Sequence, residues 1–198
     1  MIYENENNMD FEYEKKFLED YLFGLKLFKP FLYSKIKNTG MLSNLIAQHL
    51  GKQSNEFYLA SFYANIGLSA VSKYVEYADH LTDEQIAQIK RHPVLSSEYL
   101  QYKGLHKVAE IVYAHHELPN GSGYYALDSY PDESAYINIA DVFQGLTSPK
   151  PYRPPHTFRE AVEIALAPYR DGIKISREEV KEIEKVLRVF YNDLLEMS

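Results

Sequence analysis

Three histidines and one aspartate are the residues of this chain best suited to metal chemistry. His115 and His116 are adjacent and precede a turn-rich stretch, His92 comes earlier, and Asp141 lies in a largely apolar segment. Neutral imidazole is a good ligand for Zn, Fe and Mn. A carboxylate in an apolar segment needs a partner, because an unpaired buried charge is costly. These residue types allow metal binding.

Each of these residues also has an ordinary structural interpretation. A pair of histidines at the C-terminal end of a helix complements the helix dipole, and His115 and His116 fit that description. Asp141 could face solvent on an amphipathic helix, and a lone histidine such as His92 is common at a helix end. The residue types alone leave both interpretations open.

Helical periodicity indicates the elements that must position these residues. Apolar side chains recur at helical spacing before Pro30, and a further helix fits between Pro30 and Gly51, which are typical helix boundaries. Helices are predicted at residues 10–29, 31–50, 56–66, 105–116 and 134–146. Strand-like alternation is nowhere sustained, so the sequence predicts an all-α fold.

Three more helix starts carry the capping-box pattern, in which a hydroxyl and a later side chain satisfy two backbone N–H groups. The pairs are Thr82 with Gln85, Thr157 with Glu160, and Ser176 with Glu179. Two long loops remain, at residues 118–131 and 148–156, and both are rich in Gly, Pro and Tyr. Long loops in a compact helical domain are usually functional.

Composition limits the class of protein. The 198 residues are 45% hydrophobic, which suits one domain, and the net charge of -7 argues against DNA or RNA binding. The chain has no cysteine, and we find no signal peptide and no apolar run long enough for a membrane helix. We therefore expect a cytoplasmic protein without membrane contact. We divide it into an acidic tail and helix at residues 1–30 and a helical domain at residues 31–198.

Three segments, in this order and spacing, resemble the HD-GYP domains, the cyclic di-GMP phosphodiesterase branch of the HD superfamily. They are residues 81–84 leading to 90–93, residues 115–125, and residues 139–148 running into 150–153. The resemblance covers roughly residues 33–167. It implies an HD-superfamily helical bundle, a di- or trinuclear metal centre, and a cyclic dinucleotide whose phosphate lies on the metals.

The resemblance also implies roles for individual residues. The metal ligands would be His92, His115, His116 and Asp141. The ligand-binding residues would be Gly121, Gly123, Tyr124, Lys150 and Arg153. Glycines allow close backbone approach, Tyr124 could stack on a base, and the two basic residues suit phosphates. Alternatively, Lys150 and Arg153 are solvated loop charges, and the Tyr124 loop is a protein contact.

The chain departs from the family pattern where the name-giving His-Asp pair should stand. The histidine is replaced by Ala64, the aspartate by Asn65, and the lysine that follows by Leu68. Residues 33–38 lack the upstream ligand histidine, Asn120 replaces the aspartate of the glycine loop, and Tyr125 replaces the proline of Gly-Tyr-Pro.

These departures bear on the metal count. Alanine has no donor atom, and asparagine keeps the shape of aspartate without its charge. Two dications about 4 Å apart repel strongly, and a neutral amide cannot offset that repulsion. We expect no catalytic residues at these positions and at most one ion, Fe, Mn or Zn, held by His92, His115 and His116. The sequence also allows a site that binds no metal ion.

Our first interpretation is a catalytically impaired HD-GYP-like domain with a regulatory or interaction role. It would sense cyclic di-GMP or bind a signalling protein. The alternative is an active, metal-dependent cyclic di-GMP phosphodiesterase with an altered, mononuclear site. A third interpretation is a structural domain with an empty metal site. The sequence leaves the oligomeric state open.

Overall fold

The computed structural model describes residues 2–71, 80–149 and 154–196, with side chains described from residue 11 to residue 193 within those ranges. These residues form nine α-helices and two short 3₁₀ helices, and they contain no strand. The prediction of an all-helical fold is confirmed. None of the described helices has the length and apolar character needed to cross a membrane.

The nine helices are numbered in the order of the chain. They are α1 (Ile2–Phe28), α2 (Pro30–His49), α3 (Asn55–Tyr63), α4 (Asp83–Lys90), α5 (His92–Tyr102), α6 (His106–Tyr113), α7 (Glu133–Thr147), α8 (Phe158–Leu166) and α9 (Arg177–Glu196). The 3₁₀ helices are Ile66–Ala70 and Ala167–Tyr169.

All three predicted capping boxes are present. Thr82 and Thr157 each accept a hydrogen bond from the backbone N–H three residues later, and the side chain at that later position bonds back to the cap. Ser176 does the same with Glu179, whose carboxylate accepts from the Ser176 N–H at 2.8 Å. One further cap was not predicted: Ser54 accepts from Phe57 N–H and starts α3. The caps satisfy N–H groups that have no partner inside the helix.

Three helix boundaries differ from the sequence-based prediction by three residues or more. The first helix begins at Ile2 instead of residue 10, α3 ends at Tyr63 instead of residue 66, and α6 ends at Tyr113, before the two histidines. The reason for the early end of α6 lies at the Val112 carbonyl. In a continued helix this oxygen would accept from His116 N–H. Here it accepts from the backbone N–H and from Nδ1 of His115, at 3.4 and 2.6 Å, so both histidines stand in the turn after α6.

The core is built around α2 and α7, which pack against each other. α2 also contacts α1, α3 and α9, while α7 also contacts α6 and α8. Leu42 of α2 and Phe143 of α7 are fully buried, and Leu18 of α1 belongs to the same apolar cluster. Because α2 and α7 lie side by side, polar residues on their facing sides meet within the bundle.

Candidate metal centre

The three histidines lie together although they come from two parts of the chain. His92 is the first residue of α5, and His115 and His116 follow α6. One ring nitrogen from each lies within 4.8 Å of the others. His92 and His115 are buried, and their Nε2 atoms are 3.1 Å apart. This is a group of three donors that could hold a metal ion.

Backbone hydrogen bonds fix the tautomers of His92 and His115. Nδ1 of His92 lies 2.7 Å from the Ile89 carbonyl oxygen, and Nδ1 of His115 lies 2.6 Å from that of Val112. A carbonyl oxygen only accepts, so each Nδ1 carries the proton. Burial lowers the pKa of His92 to about 3 and also lowers the pKa of His115, so both rings are neutral at neutral pH.

It follows that two Nε2 lone pairs face each other at 3.1 Å. Lone pairs this close repel each other, and a cation that both nitrogens bind removes the repulsion. Orientation of a ligating imidazole by a backbone carbonyl on its other nitrogen is the usual arrangement at metal sites. The chemistry of the donors present therefore fits one divalent ion.

Asp141 lies beside the histidines and is held by residues of other helices. Its Oδ1 accepts hydrogen bonds from Lys35 Nζ at 2.7 Å, Asn65 Nδ2 at 2.7 Å and Thr39 Oγ1 at 3.3 Å. Its Oδ2 is 3.9 Å from Nε2 of His116. Burial alone would raise the pKa of Asp141, but the Lys35 ammonium and the nearby imidazoles outweigh it and hold that pKa well below its usual range. The carboxylate is therefore ionised, with Lys35 as its charged partner.

Lys35 and Thr39 were missed by the sequence analysis. The only signal was that Lys35 stands in residues 33–38, where the resemblance places a histidine. A lysine on a helix is usually a solvated surface charge. Nothing in its neighbours along the chain indicates a partner 106 positions away.

The residues that replace the His-Asp pair and the following lysine are buried or half-buried. Ala64 is fully buried and presents only a methyl group. Asn65 is also buried; it donates to Asp141, while its Oδ1 has no hydrogen-bond partner among the described residues. Leu68 is half-buried and packs against the apolar core. The described residues thus supply donors for one ion at the histidines, and they do not supply a second set at Ala64 and Asn65.

The loop that contains Gly121, Gly123 and Tyr124 folds over the histidines. Tyr124 stacks on His116, with ring centroids 4.4 Å apart and an interplanar angle of 21°, and its N–H donates to the His116 carbonyl. The buried Glu117 carboxylate, another residue that the sequence analysis did not single out, holds the loop by accepting from the N–H groups of Tyr125 and Leu127 at 2.8 and 2.9 Å.

The structure describes three of the five predicted ligand-binding residues. Tyr124 lies next to the histidines, Gly123 lies against Glu117, and Gly121 is exposed in a turn with φ of 73°. That positive φ favours glycine. Lys150 and Arg153 lie outside the described residues.

Gly123→Ala is expected to destabilise the protein by about 1–3 kcal/mol, as overpacking usually does. The added methyl carbon would lie 2.6 Å from Glu117 Cα and 2.8 Å from its carboxylate carbon. Urea unfolding measures the change. The control is Gly24→Ala in α1, where a new methyl meets nothing within 4 Å. It should stabilise the helix by about 0.5–1 kcal/mol, so equal effects at the two sites would contradict the argument.

Most of the chain matches a known protein family. Residues 25–170, well over half of its length, match the family model described as the HD domain. The chain belongs to the HD domain family.

Its similarity to individual proteins is consistent with this assignment. The chain is 30% identical, over 131 residues, to the cyclic di-GMP phosphodiesterase response regulator RpfG of Xanthomonas campestris pv. campestris (strain 8004). The match covers 61% of this chain but 35% of that protein, so the chain spans about a third of its curated relative.

Two solved structures show the same fold. The HD domain of the Listeria monocytogenes phosphodiesterase PgpH, in complex with cyclic di-AMP, aligns with a TM-score of 0.65 and 19% identity. That alignment covers 87% of this chain and 95% of the other. Bd1817, described as an HDG"Y"P protein from Bdellovibrio bacteriovorus, aligns with a TM-score of 0.58 and 18% identity, over 78% of this chain and 51% of the other.

Proposed function

We propose that this domain is a one-metal, catalytically impaired member of the cyclic di-GMP phosphodiesterase branch, and that it binds a cyclic dinucleotide as a sensor. The proposal rests on a difference between two neighbouring parts of the site. Three histidines, whose pKa values are lowered by burial, have ring nitrogens within 4.8 Å of one another, while the neighbouring positions hold Ala64 and Asn65. In this proposal the histidines serve binding, and the residues needed for hydrolysis are missing at Ala64 and Asn65.

Impaired hydrolysis follows from what the chain places around Asp141. Two-metal phosphodiester chemistry stabilises the attacking and the leaving oxygen with separate ions. Here Oδ1 of Asp141 accepts hydrogen bonds from Lys35, Thr39 and Asn65. Ala64 offers no donor. The chain therefore lacks the residues to activate water and neutralise the phosphate in the two-ion manner.

Binding of a nucleotide is supported by the groups that border the histidines. Tyr124 is half-buried against His116, and Lys90 Nζ lies 5.3 Å from the centroid of the Tyr124 ring. An aromatic ring next to a metal position suits a ligand with both a base and a phosphate. RpfG is named for cyclic di-GMP, which makes this nucleotide the first to test. Lys150 and Arg153 remain proposed phosphate contacts.

The test combines a binding titration with a turnover assay. We expect manganese-loaded protein to bind cyclic di-GMP at micromolar concentrations without forming linear product. Tyr124→Ala and Arg153→Ala should each weaken binding by about five-fold or more, which corresponds to about 1 kcal/mol. The control is Tyr102→Ala, since Tyr102 is 89% exposed at the end of α5.

The outcomes separate the candidate functions. Turnover that depends on His115 would support the alternative, an active phosphodiesterase with one metal ion. The observation in favour of this alternative is that the three histidines could hold that ion. Absence of binding at high micromolar nucleotide would overturn the sensor proposal and leave a domain that contacts a signalling protein.

A further inference from the structure

Lys35 places a fixed positive charge beside the three histidines. Its Nζ lies 2.7 Å from Oδ1 of Asp141, and its side chain is 23% exposed. The other carboxylate oxygen, Oδ2, lies 3.9 Å from Nε2 of His116. Asp141 thus stands between an ammonium group on one side and the histidine cluster on the other.

The Lys35 side of Asp141 offers few ligand atoms for a second metal ion. Oδ1 already accepts three hydrogen bonds, from Lys35, Thr39 and Asn65. These donors use the lone pairs of this oxygen, so a metal bond to it would have to replace at least one of them. The neighbouring Ala64 supplies no ligand atom. The cation on this side of the carboxylate is therefore the ammonium group itself.

We infer that the Lys35 ammonium is the second cation of the site, and that it binds a phosphate oxygen of the ligand together with the metal ion on the three histidines. An ammonium group has three donors, and among the described residues Lys35 uses one of them, on Asp141. The other two are available to an anion, and the side chain is exposed enough to be reached. Lysine commonly serves as a point charge for phosphate.

The charge of Lys35 acts on the histidines as well. The Asp141 carboxylate lies between the two, 2.7 Å from Lys35 Nζ and 3.9 Å from Nε2 of His116. At that separation the ammonium group repels a metal ion bound at the histidines. Lys35 should therefore weaken metal binding while it strengthens phosphate binding. These opposite effects separate a ligand-binding role from a purely structural one.

The inference rests on the one-metal site of the proposed function but not on its nucleotide, so the experiment uses Mn²⁺ and inorganic phosphate. Lys35→Gln removes the charge and keeps a hydrogen-bond donor for Asp141. Lys35→Arg keeps the charge. Lys37→Gln is the matched control, because Lys37 lies on the same helix and is exposed. Electron paramagnetic resonance of free Mn²⁺ gives metal affinity and stoichiometry, and the phosphate-dependent rise in melting temperature gives phosphate affinity.

In Lys35→Gln we expect Mn²⁺ to bind about three-fold to ten-fold more tightly and phosphate about ten-fold more weakly than in the wild type. Lys35→Arg should stay near the wild-type values for both, as should Lys37→Gln. The stoichiometry should remain one ion per chain. Lys35→Met is a second neutral variant, to be used in the same way if Lys35→Gln does not fold.

Three results would overturn the inference. They are two Mn²⁺ ions per wild-type chain, equal phosphate affinity in the wild type and the neutral variant, and weaker metal binding in the neutral variant. A domain that does not bind cyclic dinucleotides could still show the expected changes in Mn²⁺ affinity and phosphate affinity. Failure of the sensor proposal and failure of this inference are therefore distinguishable.

Discussion

His115→Ala is expected to remove stoichiometric metal binding, lowering the affinity for a divalent ion by more than about 100-fold. His115 is fully buried, and its Nε2 lies 3.1 Å from that of His92. Its Nδ1 is tied to the Val112 carbonyl, so the ring cannot turn the other nitrogen to the site. Without it two histidines remain, which is too few for a protein site that holds its ion firmly.

Elemental analysis of the purified protein and a titration with Zn²⁺ measure this change. We expect close to one ion per wild-type chain and far less than one in the variant. The control is His106→Ala, because His106 is an exposed histidine at the start of α6 and lies outside the cluster. One ion per chain in both variants would place the metal elsewhere. Absence of uptake by the wild type would contradict the site itself.

Asp141→Asn is expected to destabilise the fold by about 2–3 kcal/mol. Removal of one partner from a fully buried ion pair costs about 3–5 kcal/mol, and we take a smaller value because the Lys35 side chain is 23% exposed. The variant leaves the ammonium without its counter-charge. It also sets one amide against another at Asn65, whose Nδ2 now donates to the Asp141 carboxylate at 2.7 Å.

Denaturant unfolding of metal-free protein tests this prediction, so that loss of a bound ion does not contribute. The matched control is Asp20→Asn, which breaks the Lys16–Asp20 pair at 2.9 Å on the surface of α1. Both side chains of that pair are more than 60% exposed, and such pairs contribute about 0–1 kcal/mol. Equal effects of the two substitutions would show that the Lys35–Asp141 pair is screened like a surface pair.

Local patterns predicted the parts of this protein that depend on neighbours along the chain. The three capping boxes formed as expected, since each needs only a hydroxyl and a side chain three residues later. Pro30 was correctly placed at a boundary, because its ring fixes the backbone and removes a donor. The end of α6 was predicted too late. It depends on how His115 uses the Val112 carbonyl, and residue type does not reveal that.

By itself the sequence determined which donor atoms the site can have. Alanine at position 64 has none, asparagine at 65 has no charge, and three histidines remain. Tertiary structure decided how those atoms are used. Packing of α2 against α7 brings Lys35 to Asp141, which is 106 positions away in the sequence. The spacing of apolar residues predicts each helix, but it does not predict which residues of two helices are in contact. Burial then keeps the histidines neutral and the aspartate ionised, because desolvation and nearby charges act only once the chain has folded.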